Sequence, residues 1–102
     1  MRIIELNGEK WTSVLDFYRA LLAALEAPSW HSEGIDAAID SIVWGGINGV
    51  HPPYKIRVTG AGKLAPEIRH EIELLAKSIG EHRADHQRWH KKDVEVSLEL
   101  VS

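Results

Sequence analysis

The chain contains no cysteine among its 102 residues. The absence of thiols excludes disulfides, thiolate–zinc sites and catalysis by a cysteine nucleophile, and it suits a reducing cytoplasm. A long apolar run is also absent, and the N-terminus MRIIELNGEK lacks the basic head and apolar core of a signal peptide. We therefore expect a cytoplasmic protein with no membrane segment.

Basic charge is scarce as well, because 15 Asp and Glu outnumber 12 Lys and Arg and leave a formal net charge of −3. Nucleic-acid phosphates favour basic proteins, so this balance argues against nucleic acid as a partner and in favour of a basic protein. With 44% hydrophobic and 26% charged residues, the composition is that of a globular chain. Its length predicts one domain, residues 1–102, with a single core.

Motifs for catalysis are missing too. The segment GAGK at 60–63 lacks the rest of a P-loop. Asp36 and Asp40 could form an acid/base pair, but both are expected on an exposed, convex helix surface without a pocket around them. We therefore predict no enzymatic activity and no cofactor.

Hydrophobic periodicity predicts a strand and a helix in the first part of the chain. Residues 2–6, RIIEL, have a strand pattern that ends at the Asn7-Gly8 turn. A helix over residues 14–26 follows, because Ser13 and Asp16 resemble a capping box and Pro28 stops the helical pattern.

The stretch WHSEGIDAAIDSIVWGG predicts a second helix, from an N-cap at Ser32 to an end near Trp44. Glu33, Asp36 and Asp40 fall within about 60° of one another on its surface. Like charges four residues apart repel by roughly 0.2–0.5 kcal/mol, so helix stability does not by itself account for these acids. An apolar stripe on another side of the helix consists of Ile35, Ala38, Ile39 and Ile42.

Alternation of apolar and polar residues predicts two further strands, in YKIRVTG at 54–60 and VEVSLELV at 94–101. Between them, Pro66 starts a third helix, which either frays at Gly80 or continues through the polar run that follows. Crossovers of this length imply a parallel sheet. Strands with one apolar side predict a two-layer α/β fold, with strand order 1-2-3 and all helices on one face.

Three short motifs resemble the barstar family of intracellular inhibitors of a secreted bacterial ribonuclease. They are LNGE at 6–9, APSW at 27–30 and GIDAAIDSI at 34–42, and the likeness covers about residues 3 to 44. Beyond that range the resemblance depends mainly on the order of the elements. It implies a barstar-like fold, in which a three-stranded parallel sheet lies under helices.

The resemblance implies that the chain binds a basic bacterial toxin, expected to be a ribonuclease, and blocks its active site as an immunity protein or antitoxin. Trp30 takes the place of the aromatic residue that enters the enzyme's site. Asp36 and Asp40 take the places of the two helix carboxylates. Further candidate contacts in the same stretch are His31, Glu33 and Gly34.

Some positions depart from the family pattern. Ile39 stands where the second helix commonly has an aromatic residue, and Ser32 stands where the binding loop usually has a glycine. An alternative function is therefore a barstar-fold interaction or regulatory module without nuclease inhibition. The family's remaining acidic contact lies on the last helix, where three residues could represent it: Glu71, Glu73 and Glu81.

Position along the helix separates the acidic candidates. Asp36 lies in the first turn, where the helix dipole stabilises a negative charge, whereas Asp40 lies near the C-terminal end, where the dipole disfavours it. Asp40 is therefore the acid that folding explains least. The polar neighbours of Trp30 predict a partly exposed anchor for an interface. Core positions are predicted for Trp11, Tyr18 and Trp44.

His82, His86 and His90 recur every four residues, a spacing that would place them on one helix face and could bind a metal ion. A polar surface segment is the commoner explanation of such a run, so we predict no metal site. The same explanation applies to a small basic patch that could contact nucleic acid. It consists of Arg83, Arg88, Trp89, Lys91 and Lys92.

Overall fold

A computed structural model describes all residues from Met1 to Ser102. Its centre is a three-stranded sheet of β1 (Arg2–Asn7), β2 (Tyr54–Thr59) and β3 (Val96–Leu100). The strands lie in the order β1-β2-β3, and both pairings are parallel. The predicted α/β class, strand order and parallel pairing are therefore confirmed.

Alternation along the strands gives the sheet one apolar face. In β2, Tyr54, Ile56 and Val58 are buried, while the residues between them are only half-buried. All three helices supply residues to the same core cluster as this face, which places the helices on one side of the sheet. They are α1 (Val14–Ala24), α2 (Ile35–Ile39), which continues as a π-helical segment (Asp40–Gly45), and α3 (Pro66–His90).

The opposite face of the sheet carries a ladder of charges. The Arg57 guanidinium on the central strand lies 2.8 Å from the Glu99 carboxylate on β3 and 3.7 Å from the Glu5 carboxylate on β1. Hydrogen bonding to Arg57 holds the pKa of Glu99 below its ordinary value. Cross-strand pairs of opposite charge stabilise the pairing of neighbouring strands. Here they lie on the face of the sheet that is opposite the helices.

The helix α1 begins at the predicted residue and ends two residues early. Ser13 is the N-cap, and its hydroxyl accepts a hydrogen bond of 3.3 Å from the Asp16 N–H. The chain leaves the helix because Glu26 adopts a left-handed conformation with φ of 55°. Its carbonyl then accepts a hydrogen bond of 2.9 Å from the N–H of Gly49, which attaches the loop after the π-helical segment to the end of α1.

The helix α3 continues through Gly80 to His90 and is 25 residues long. A glycine inside a helix costs about 1 kcal/mol relative to alanine, so contacts on both sides must offset it. Ile79 is buried in the core. Beyond the glycine, Arg83 donates to the Val96 carbonyl and to the Asp93 carboxylate, both at 2.8 Å, and so fixes the second half of α3 to β3.

The Arg83–Asp93 pair makes stability depend on pH. Hydrogen bonding to Arg83 holds the pKa of Asp93 below its ordinary value. A lowered pKa in the folded state contributes stability above the unfolded pKa, and this contribution is lost as the pH falls through the folded value. Because the pair is partly solvated, we expect Asp93→Asn to lower the free energy of unfolding by up to about 1 kcal/mol at neutral pH.

Urea unfolding at neutral pH and at a pH below the folded value of Asp93 measures this effect, and the deficit of Asp93→Asn should disappear in acid. Asp85→Asn is a suitable control, because Asp85 pairs at 3.4 Å with an arginine whose side chain is 71% exposed. A deficit of Asp93→Asn that is equal at both pH values would contradict the assignment.

Candidate protein-interaction site

The acidic helix begins at Gly34, not at the predicted N-cap Ser32. Gly34 has a φ of 136°, a backbone conformation that residues with a side chain rarely adopt, and α2 starts at the next residue. Ser32 is exposed and lies outside the helix. The glycine therefore decides where the helix starts, and it places Asp36 in the first helical turn.

The helix changes type at Asp40, which the sequence did not predict. Residues Asp40–Gly45 form a π-helix, whose hydrogen bonds span five residues and whose turn is wider than that of an α-helix. A Cβ atom at Gly45 would lie 2.8 Å from the backbone carbonyl oxygen of Asp40. The wide turn therefore depends on a residue without a side chain at position 45.

Asp36 and Asp40 are both exposed, and neither forms an ion pair within the chain. Glu33 differs, because its carboxylate lies 3.3 Å from the guanidinium of Arg19 on α1. The three predicted acids thus divide into one with an internal partner and two with free charges. The free charges on Asp36 and Asp40 are the ones available to a partner.

Trp30 and Asp40 line the same surface cavity, of about 240 Å³. The Trp30 side chain is 71% exposed, in agreement with the predicted partly exposed position. His31 also lines the cavity, and its Nδ1 atom is 2.7 Å from the Ser32 carbonyl oxygen. Ile47, another lining residue, contributes an exposed apolar surface. The cavity therefore combines aromatic and aliphatic walls with one carboxylate.

The acids of α3 have different environments. Glu71 accepts a hydrogen bond of 2.5 Å from the hydroxyl of Tyr18, while Glu73 and Glu81 are exposed. Burial, the bond to Glu71 and the nearby charge of Asp36 all raise the pKa of Tyr18. Glu71, which is half-buried, is therefore the one of the three α3 candidates that has a hydrogen-bond partner within the chain.

Trp44 is not a core residue, contrary to the prediction, because it is 37% exposed. Its indole N–H donates to Nδ1 of His82 at 2.9 Å, and its ring lies 5.1 Å from that of His86 and 5.9 Å from that of His90 between centroids. The predicted common face of the three histidines is present. Their spacing alone could not show that the face would cover Trp44.

No protein-family model and no curated protein matches this chain. None of the helices has both the length and the apolar character of a membrane span. The functional conclusion therefore depends on the geometry of the exposed acids and of Trp30, together with the short motifs in the first half of the sequence.

Proposed function

We propose that the chain is a barstar-like inhibitor that binds a basic bacterial toxin, expected to be a ribonuclease, in the cytoplasm and occludes its active site. The main support for the proposal is that an exposed indole, Trp30, and a carboxylate without an ion-pair partner, Asp40, line the same cavity. Trp30 enters the partner's site, and Asp36 and Asp40 meet basic side chains there.

The electrostatics of the surface suit a basic partner. Asp36 and Asp40 have no internal cation to release before they bind an external one. Charge-assisted pairs of a carboxylate with Arg or Lys are strong and directional. Complementary charges also accelerate association by steering the encounter of the two proteins. The two free carboxylates would therefore contribute both to affinity and to the association rate.

The shape of the surface supports the same function. Tryptophan is enriched among the few interface residues that carry most of the binding energy, and the exposed Trp30 offers such an anchor. Gly34 and Gly45 fix the ends of the helical run that presents the carboxylates. A site that is ordered before binding loses less conformational entropy when the complex forms.

A nuclease is the expected target class because carboxylates can replace substrate phosphates. A nuclease holds phosphate with basic groups, and two carboxylates on an ordered helix offer negative charges to the same groups. An inhibitor that occupies them excludes the substrate. The motifs shared with the barstar family, above all GIDAAIDSI at 34–42, support this choice of target.

The alternative is an interaction or regulatory module of the same fold without nuclease inhibition. Its main support is Ile39, which replaces an aromatic residue common in the family. Ile39 is only 4% exposed, so this position offers almost no surface to a partner. The exposed indole at the proposed surface comes instead from Trp30.

Nuclease inhibition can be tested with the protein that is encoded beside this chain, because an inhibitor is normally encoded next to its toxin. We expect the purified chain to abolish RNA cleavage by that protein at equimolar concentration. Because charged groups steer the association, its rate should fall as salt is added. Tight binding without loss of cleavage would favour the regulatory alternative, and absence of binding would contradict the proposed inhibition.

A further inference from the structure

In contrast to the sequence-based prediction of no metal site, we propose that His86 and His90 bind a borderline transition-metal ion such as Zn²⁺ at the C-terminal end of α3. This site is separate from the proposed inhibitory surface and does not depend on it. Imidazole nitrogens suit Zn²⁺, Cu²⁺ and Ni²⁺, and two histidines four residues apart on a helix can ligate one ion. The proposal is supported by the hydrogen bond of His86, the packing of Trp44 against both rings and the local electrostatic field.

The hydrogen bond of His86 leaves a ligand nitrogen free. Its Nδ1 atom lies 2.8 Å from the backbone carbonyl oxygen of Lys92. Because a carbonyl oxygen only accepts, Nδ1 carries the proton and the lone pair of a neutral ring is on Nε2. Metal-binding histidines commonly donate their other ring N–H to a carbonyl, which fixes the orientation of the ring.

His90 lies one helical turn further along α3, beside His86. The ring centroids are 4.7 Å apart. Trp44 packs against both rings, with centroid distances of 5.1 and 5.9 Å, and so limits their rotamers. Side chains that are already restricted lose less entropy when they bind the same ion.

The local field also favours a cation. His86 and His90 lie in the last two turns of the 25-residue helix α3, whose C-terminal end carries a partial negative charge. Arg83 and Arg88 each form an ion pair with an aspartate, which offsets their charges. Lys91 and Lys92 are exposed, so solvent screens their repulsion.

His82 is not a ligand in this arrangement. Its Nδ1 atom accepts the hydrogen bond from Trp44, which places the ring proton on Nε2. The structure contains no group of three or more His, Asp or Glu side chains that could hold an ion together. Two imidazoles therefore ligate the ion, and water completes its tetrahedral coordination.

Calorimetric titration of Zn²⁺ alone into the full chain, prepared without a histidine tag, tests the proposal. We expect one ion per chain. His86→Gln and His90→Gln should each weaken binding by at least about tenfold. In His82→Gln the affinity should be unchanged, because the new side chain can accept the hydrogen bond from Trp44 and the residue is not a ligand.

A second readout separates loss of the site from loss of the fold. Zn²⁺ should raise the melting temperature of the wild-type chain and of the exposed-histidine control His70→Gln, but not of His86→Gln. Melting temperatures without Zn²⁺ should be alike in all variants. Binding that survives both His86→Gln and His90→Gln, or that is lost equally in His82→Gln, would overturn the proposal.

Discussion

Asp40→Ala is expected to weaken binding of the basic partner by about 2–5 kcal/mol, which is roughly 30-fold to a few thousand-fold in the dissociation constant. Asp40 lies beside the exposed Trp30 at the proposed centre of the interface, where its charge would be removed from water with a cation. Truncating one member of such a pair leaves the other buried without a partner. The melting temperature should not fall, because Asp40 forms no ion pair within the chain.

Glu67→Ala is the matched control for this prediction. Glu67 is also an exposed acid on a helix and is not among the candidate contacts, so its removal changes only the net charge, by the same amount. We expect only a small change in the association rate, which salt should suppress. Asp40→Ala with wild-type affinity would contradict the assignment of Asp40. Equal losses of affinity in both variants would show that Asp40 acts only through the net charge of the chain.

Gly45→Ala is expected to destabilise the chain by about 1–3 kcal/mol and to weaken partner binding as well. The new Cβ would lie 2.8 Å from the backbone carbonyl oxygen of Asp40, closer than such atoms can approach. Backbone atoms cannot move aside as the end of a side chain can. The turn must therefore shift, and Asp40 must shift with it.

Urea unfolding and the affinity for the partner measure the two consequences of Gly45→Ala together. Gly62→Ala is the control, because no atom lies within 4 Å of a Cβ at that position. It lies in the short 3₁₀-helix Ala61–Lys63, a separate element from the acidic helix. If Gly45→Ala unfolds and binds as the wild type does, the π-helical segment is not required for the position of Asp40.

The sheet could be predicted from the sequence because side chains in a strand alternate between two faces. In YKIRVT the alternation predicted a strand with one apolar side, and in the structure the residues of that side, Tyr54, Ile56 and Val58, are buried. The N-terminus of α1 could also be predicted, because the Ser13 hydroxyl accepts a hydrogen bond that depends only on neighbouring residues. Structural features that depend on only a few neighbouring residues could therefore be predicted from the sequence.

The start of the acidic helix and the position of Trp44 depend on backbone conformation and on long-range contacts, which a local sequence pattern does not predict. Ser32 has the usual chemistry of an N-cap, but the backbone of Gly34 decides where the helix begins. Trp44 continues an apolar stripe and so was predicted in the core. It lies on the surface because the turn that carries it is widened and because His82, 38 residues away, accepts its hydrogen bond.

The π-helical segment Asp40–Gly45 changes how this chain can be compared with others. A turn with hydrogen bonds over five residues holds one residue more than an α-helical turn. Relative to a continuous α-helix, every side chain after it is therefore rotated by about 100°. An alignment without a gap would match Trp44 with residues that point elsewhere, so relatives should be aligned with a one-residue insertion between positions 40 and 45.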